Sequence, residues 1–138
     1  MGVKVNLGAH GQLQGLGAHW ELWMLHQGGM SNLEALKAAT INGADYIGIG
    51  DELGTLEEGK LADLIILDKN PLENIRHTNT VTHTMINGRL YDVTTMNEIG
   101  NYNTPRTKFY WENGKYNQGV PFNFDTNSFT SPTCSCHE

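Results

Sequence analysis

Histidine is the residue type in this 138-residue sequence best suited to metal binding and proton transfer. Of its six histidines, His10 is the strongest candidate for a functional role. It follows an alternating apolar and polar segment, residues 3–7, and lies in a stretch with four glycines between positions 8 and 17. An imidazole can bind zinc and can accept a proton near neutral pH. His10 is therefore the candidate metal ligand and catalytic residue. The alternative is a loop histidine that is hydrogen-bonded to the backbone.

Other metal-binding residue types lack the spacing of a recognised site. His19 and His26 are seven residues apart, so a helix would place them on one face but about 10.5 Å apart, too far for one ion. Cys134, Cys136 and His137 offer soft ligands without the paired spacing of zinc knuckles. We expect surface or capping histidines on the helix and an incidental or packing role for the terminal group.

Further motifs are ambiguous or absent. Trp20 and Trp23 could form a substrate platform, but aromatic residues at helical spacing favour a core position. The glycine-rich stretch 8–17 matches neither the dinucleotide fingerprint nor the phosphate-binding loop, and no Gly-x-Ser-x-Gly elbow occurs.

Composition excludes several classes of partner. Nine Lys and Arg residues against 15 Asp and Glu give a net charge of −6, which excludes a nucleic-acid footprint. No apolar run approaches the roughly 20 residues that span a bilayer, and the first residues lack the layout of a signal peptide. We expect neither a nucleic-acid nor a membrane partner.

Two helices are predicted in the first half of the chain. Alternation predicts a strand at residues 3–7. A helix follows, with Leu16, Trp20, Trp23 and Met24 on its apolar side, and it ends at Gly28-Gly29. Ser31 and Glu34 form the pattern of a capping box that begins a second helix. Its buried side is predicted to include Leu33, Leu36 and Thr40, and its helical pattern runs to Ile47.

The second half is predicted to be β-rich. Leu64–Leu67 is an apolar run fenced by Asp63 and Asp68, which favours a strand covered on both faces. Asn87-Gly88 separates the strand-like runs Val81–Ile86 and 89–93, a strong hairpin signal that requires positive φ at both residues.

Four segments together resemble the C-terminal end of the metal-dependent amidohydrolase superfamily. The similarity is greatest to its imidazolonepropionase- and prolidase-like branch, which includes members fused to a β-propeller. The segments, in chain order, are residues 31–48, 54–68, 70–75 and 85–91.

The resemblance implies a (β/α)8 barrel with one or two divalent metals, beside a composite β-sandwich built from both chain ends. We therefore expect an α+β chain, a fragment of an α/β protein. Residues 1–50 would supply the last barrel strand and closing helices, and residues 51–100 the C-terminal part of the sandwich. Residues 101–138 would form an irregular, aromatic- and Asn-rich tail.

The implied activity is hydrolysis of a C–N bond in a small amide or dipeptide-like substrate, with a divalent ion, expected to be Zn²⁺, activating water. His10 stands where most relatives carry an aspartate that is both metal ligand and general base, but an imidazole brings no negative charge. Such a barrel needs at least about 200 residues, and no His-x-His pair of the family's first strand occurs here. We therefore expect the isolated chain to be inactive.

A second interpretation is a non-catalytic interaction or assembly module. Its partner would be a second copy of the chain, giving a homo-oligomer, or the remainder of the barrel. The propeller-fused relatives are often periplasmic or secreted, but no feature of this sequence indicates a compartment.

Overall fold

A computed structural model describes residues 3–8, 13, 15–109 and 112. The chain divides into two compact units, Met1–Arg106 and Thr107–Glu138. In the second unit, a local turn joins Phe109 to Glu112: the Phe109 amide donates to Glu112 Oε2 at 2.9 Å, and the Glu112 amide donates back to the Phe109 carbonyl at 3.0 Å. No helix among the described residues has both the length and the apolar character needed to cross a membrane.

Three helices form the first part of the larger unit: α1 (Leu16–Gln27), α2 (Asn32–Ala38) and α3 (Ile41–Ile47). Gly15, with φ 79°, precedes α1, and Gly28 caps its C-terminus as predicted. The predicted capping box is confirmed: Ser31 Oγ accepts from the Glu34 amide at 3.3 Å, while the Ser31 amide donates to Glu34 Oε2 at 2.9 Å.

The helical pattern that was predicted to run from Ser31 to Ile47 is broken into two helices. Thr40 has φ −132° and ψ −103°, outside the helical region. Its hydroxyl donates to the Leu36 carbonyl at 2.9 Å, a side-chain-to-backbone bond that competes with helix continuation.

The second part is one antiparallel sheet in the order β1 (Leu64–Leu67), β2 (Val81–Ile86), β3 (Arg89–Asp92) and β4 (Glu98–Ile99). A 3₁₀ helix, Ile75–Asn79, lies between β1 and β2. The predicted hairpin is confirmed, with φ 50° at Asn87 and 78° at Gly88. The Asn87 amide donates to the Asp63 carboxylate, which joins the turn to the residue before β1.

The core lies between α1, α2 and the 3₁₀ helix. Leu22, Ala35 and Ile75 form its buried cluster, against which Leu7 and Trp23 pack. The buried side of α1 therefore differs from the predicted one: Leu22 is 5% exposed, whereas Trp20 is 42% and Met24 67% exposed.

The buried side of α2 also differs from the prediction. Ala35 and Ala38 are buried, while Leu33 and Thr40 are exposed and Leu36 is half-buried. Small side chains face the core here because α2 packs closely against its neighbours α1 and α3.

The prediction that β1 is covered on both faces is wrong. Its central residues Ile65 and Ile66 are 54% and 41% exposed. β1 is an edge strand of an antiparallel sheet, and the described elements leave these two side chains uncovered. The apolar run was typical of a parallel strand between two helical layers, an environment that the described residues do not supply.

Residues 3–7 form no strand, contrary to the prediction. A strand exists only with a neighbour to pair with. Within the described part of the chain, every strand belongs to the sheet that begins at Leu64, and none of these strands pairs with residues 3–7.

Candidate functional site

The candidate site begins with residues 3–8, the described segment that precedes His10 in the chain. His10 lies outside the described residues, and so do Cys134, Cys136 and His137. The roles predicted for these residues stay predictions. The described segment ends at Gly8, two residues before His10.

Backbone and amide hydrogen bonds hold the middle of this segment against two helices. The Leu7 amide donates to the Ala38 carbonyl at the end of α2, at 2.9 Å. Asn42 on α3 donates its side-chain amide to the Val5 carbonyl at 3.0 Å. These bonds satisfy polar backbone groups that would pair with neighbouring strands in a sheet.

Charged side chains hold the two ends of the segment. Lys4 Nζ lies 2.6 Å from Asp45 Oδ2 on α3, but both side chains are exposed, so this pair contributes little stability. At the other end, the Gly8 amide donates to Glu21 Oε1 on α1 at 2.8 Å. A carboxylate acceptor makes this a charge-assisted bond, stronger than a bond between neutral groups.

The two histidines of α1 have different surroundings. His19 is half-buried, and its Nδ1 has no hydrogen-bond partner among the described residues. Burial lowers the pKa of His19 below its usual value, because removal from water disfavours the charged imidazolium. His26 is exposed, and its Nδ1 lies 2.9 Å from the Met30 carbonyl just beyond the helix. His26 therefore has the surface position expected for it, and its ring bonds to the chain beyond α1 and not to a carbonyl of the helix.

The described residues do not assemble a metal site. No three histidine, cysteine, aspartate or glutamate side chains among them lie close enough together to hold one ion. A catalytic zinc site uses three protein ligands and keeps a fourth position open. The part of the chain that the structure describes therefore lacks the set of ligands needed for the metal that the resemblance implies.

Trp23 joins α1 to the 3₁₀ helix. Its indole Nε1 lies 3.1 Å from both the Ile75 carbonyl and Thr78 Oγ1. The Arg76 guanidinium lies 4.8 Å from the centre of the ring, within the range of a cation–π contact. Trp23 thus contributes to packing as expected, whereas Trp20 lies at the surface.

A cleft of about 440 Å³ lies between the α2–α3 junction and the start of β1. Its polar side chains already have structural partners: Thr55 accepts from Lys60 at 2.6 Å, and Asp63 accepts from the Asn87 amide. These groups are therefore committed to holding loops.

Glu21 was not predicted as a functional residue. In the sequence it appears only as a neighbour of His19 on a helix, and the side-chain acceptor of a distant amide has no local signature. The one available signal is an acidic residue on the helix that directly follows a glycine-rich loop.

Comparison with known proteins identifies the class. Residues 6–91 match the amidohydrolase family, and the chain belongs to that family. Its helices and antiparallel sheet also resemble part of a solved structure. This is a Xaa-Pro dipeptidase with methionine bound in its active site, 36% identical, with a TM-score of 0.61 over 66% of this chain and 23% of that one.

Two curated relatives extend the comparison. Ochratoxinase from Aspergillus niger is 39% identical over 94 residues, which cover 65% of this chain and 20% of the relative. Imidazolonepropionase from Thermoplasma volcanium is 45% identical over 60 residues, 41% of this chain and 15% of the relative. The chain thus spans about a fifth or less of the length of these relatives.

Proposed function

We propose that this chain is the C-terminal part of a metal-dependent amidohydrolase that hydrolyses a C–N bond in a small amide or dipeptide-like substrate. The family match over residues 6–91 carries this proposal. The likeness to a Xaa-Pro dipeptidase supports a dipeptide-like substrate, because that relative is named for such a substrate.

In the complete enzyme, residues 3–7 would be the last barrel strand and α1 to α3 the helices that close the barrel. Residues 51–100 would supply the C-terminal part of the sandwich, and residues 101–138 a tail. The packing of Leu7 against the core cluster of Leu22 and Ala35 supports this placement, since a barrel strand packs its side chains on the helices that follow it. In the complete barrel the Leu7 amide and the Val5 carbonyl would pair with neighbouring strands instead of their present partners on the helices. The two strands that would pair with it belong to the remainder of the barrel.

His10 would then lie just beyond the C-terminal end of that strand. Active sites of such barrels lie at this face. We assign His10 a place at the metal centre of the complete enzyme, either as a metal ligand or as the proton acceptor, because the one free lone pair of a neutral imidazole cannot serve both roles at once. The ion, which we expect to be zinc, needs further ligands that the described residues do not supply, so the isolated chain is expected to be inactive.

A chimera tests this proposal. The segment of the Xaa-Pro dipeptidase that aligns with residues 6–91 is replaced by these residues, and hydrolysis of Xaa-Pro dipeptides is measured. We expect turnover in the chimera and a loss of about 10²- to 10⁴-fold on His10→Ala. His26→Ala, an exposed histidine, is the matched control and should leave turnover unchanged. A folded chimera without turnover would contradict the proposed function, and full turnover in His10→Ala would remove His10 from the site.

The second candidate is a non-catalytic module that pairs with itself or with another chain. An exposed apolar stripe on α1 favours it: Leu16, Trp20 and Met24, each four residues apart on one side of the helix, are 41%, 42% and 67% exposed. Extended exposed apolar patches mark interaction surfaces. Sedimentation at high concentration tests this candidate, which requires a dimer or larger assembly and fails if the chain is a monomer.

A further inference from the structure

We infer that Glu21 is a positioning residue that fixes the backbone at Gly8, two residues before His10. The inference deepens the proposed function and rests on it, since the position of Gly8 matters for catalysis only if His10 does. It is carried by the 2.8 Å bond from the Gly8 amide to Glu21 Oε1, which links residues 13 positions apart.

The carboxylate is well placed to act as an anchor. Glu21 directly precedes Leu22, which is 5% exposed, and Trp23, which is bonded to the 3₁₀ helix. These contacts hold the second turn of α1 on the core, so the carboxylate is presented from a rigid element. Groups supported in this way hold a functional residue more accurately than a loop alone.

The anchored amide is close to His10 along the chain. Gly8 is two residues before His10, and two peptide units span at most about 7.6 Å between Cα atoms. The Leu7 amide, one residue earlier, is held independently by the Ala38 carbonyl. Glu21 thus holds the last described amide before His10, while a different bond holds the amide of the preceding residue.

Amide hydrogen exchange in the 138-residue chain tests the anchor. Glu21→Ala should reduce the protection of the Gly8 amide by tenfold or more, since a bond to a charged acceptor is lost. Glu21→Gln keeps an acceptor oxygen and should lose less. The Leu7 amide is the internal reference, because its bond does not involve Glu21 and its protection should not change. Unchanged Gly8 protection in Glu21→Ala would overturn the inference.

The dipeptidase chimera tests whether the anchor serves catalysis. Glu21→Ala should lower kcat by tenfold or more with KM unchanged, and Glu21→Gln should recover part of that loss. Exposed Glu58→Ala is the matched control and should leave both constants unchanged. If Glu21→Ala lowers Gly8 protection but leaves kcat unchanged, the hydrogen bond exists but Glu21 has no positioning role in catalysis. A parent chimera without turnover would refute the proposed function and with it the purpose of the anchor, while the Gly8 exchange would still decide whether the bond exists.

Discussion

At the scale of single residues, two carboxylates hold backbone amides that are distant in the sequence. Glu21 accepts from the Gly8 amide, and Asp63 accepts from the Asn87 amide. The first bond connects an irregular segment to α1, and the second connects the hairpin turn to the residue before β1. A sequence pattern reveals the local motif, such as Asn87-Gly88, but does not reveal an acceptor that lies 13 or more positions away.

Gly88 provides the clearest stability prediction. Its φ of 78° lies in the left-handed region, and a Cβ there would meet no atom within 4 Å. Gly88→Val should therefore destabilise the chain through backbone strain alone, by about 1 kcal/mol or more. Urea unfolding measures this change. An unaltered midpoint would contradict the observed turn.

Gly43 offers a matched control for the same kind of change. It lies within α3, and a Cβ there would also meet no atom within 4 Å. Gly43→Ala should stabilise by about 0.5–1 kcal/mol because alanine is the better helix former. Gly88→Ala should act in the opposite direction. Equal effects of the two alanine substitutions would show that the sign of φ does not determine the result.

The Arg89–Glu98 pair predicts an acid-dependent loss of stability. Arg89 Nε and Nη2 each lie 2.7 Å from a different oxygen of Glu98, whose side chain is buried. The hydrogen bonds from Arg89 lower the pKa of Glu98 below its usual value of 4.5. A depressed folded-state pKa contributes stability above the unfolded value, and this contribution is lost as pH falls through the folded value.

Thermal unfolding of wild type and Glu98→Gln between pH 7 and about pH 3 tests this prediction. The wild type should be more stable at pH 7, and the difference in Tm should shrink as pH falls below 4.5. Part of the acid dependence should persist in Glu98→Gln, because hydrogen bonds from Ser31 and Thr95 also lower the pKa values of Glu34 and Asp92. A Tm difference that is constant with pH would refute the prediction.

At the scale of elements, local signals predicted the ends of helices better than their buried faces. The capping box at Ser31 and the glycine pair after α1 depend on neighbouring residues, and both are confirmed. The buried sides of α1 and α2 depend on which elements pack against them. Leu22 and Ala35 are buried because the 3₁₀ helix and α2 meet α1 there, and no local pattern specifies that meeting.

The caps of α2 and α3 make a matched pair for stability measurements. Ser31 caps α2 through its side chain, whereas Thr40 precedes α3 without a side-chain capping bond. Ser31→Ala should cost about 1 kcal/mol. Thr40→Ala removes only the exposed bond to the Leu36 carbonyl and should cost less. Similar losses in urea unfolding would show that the capping box contributes nothing specific.

At the scale of the whole molecule, the family was predictable because four motifs occur in order along the chain. Residues 3–7 and β1 were predicted less well for one physical reason. Their sequences are typical of strands that are paired or covered, whereas the described residues leave 3–7 unpaired and Ile65 and Ile66 exposed. A sequence pattern indicates the environment that suits a segment, and the described residues do not supply that environment for residues 3–7 or for β1.

The metal content of the purified, chelator-free 138-residue chain tests the central claim most directly. The claim is that amidohydrolase chemistry requires ligands beyond those of this chain, whose described residues hold no cluster of three ligating side chains. We predict a zinc content well below one ion per chain, unchanged by His10→Ala. One tightly bound zinc per chain that is lost in His10→Ala would contradict the account and show that this chain, alone or through its own assembly, completes a metal site.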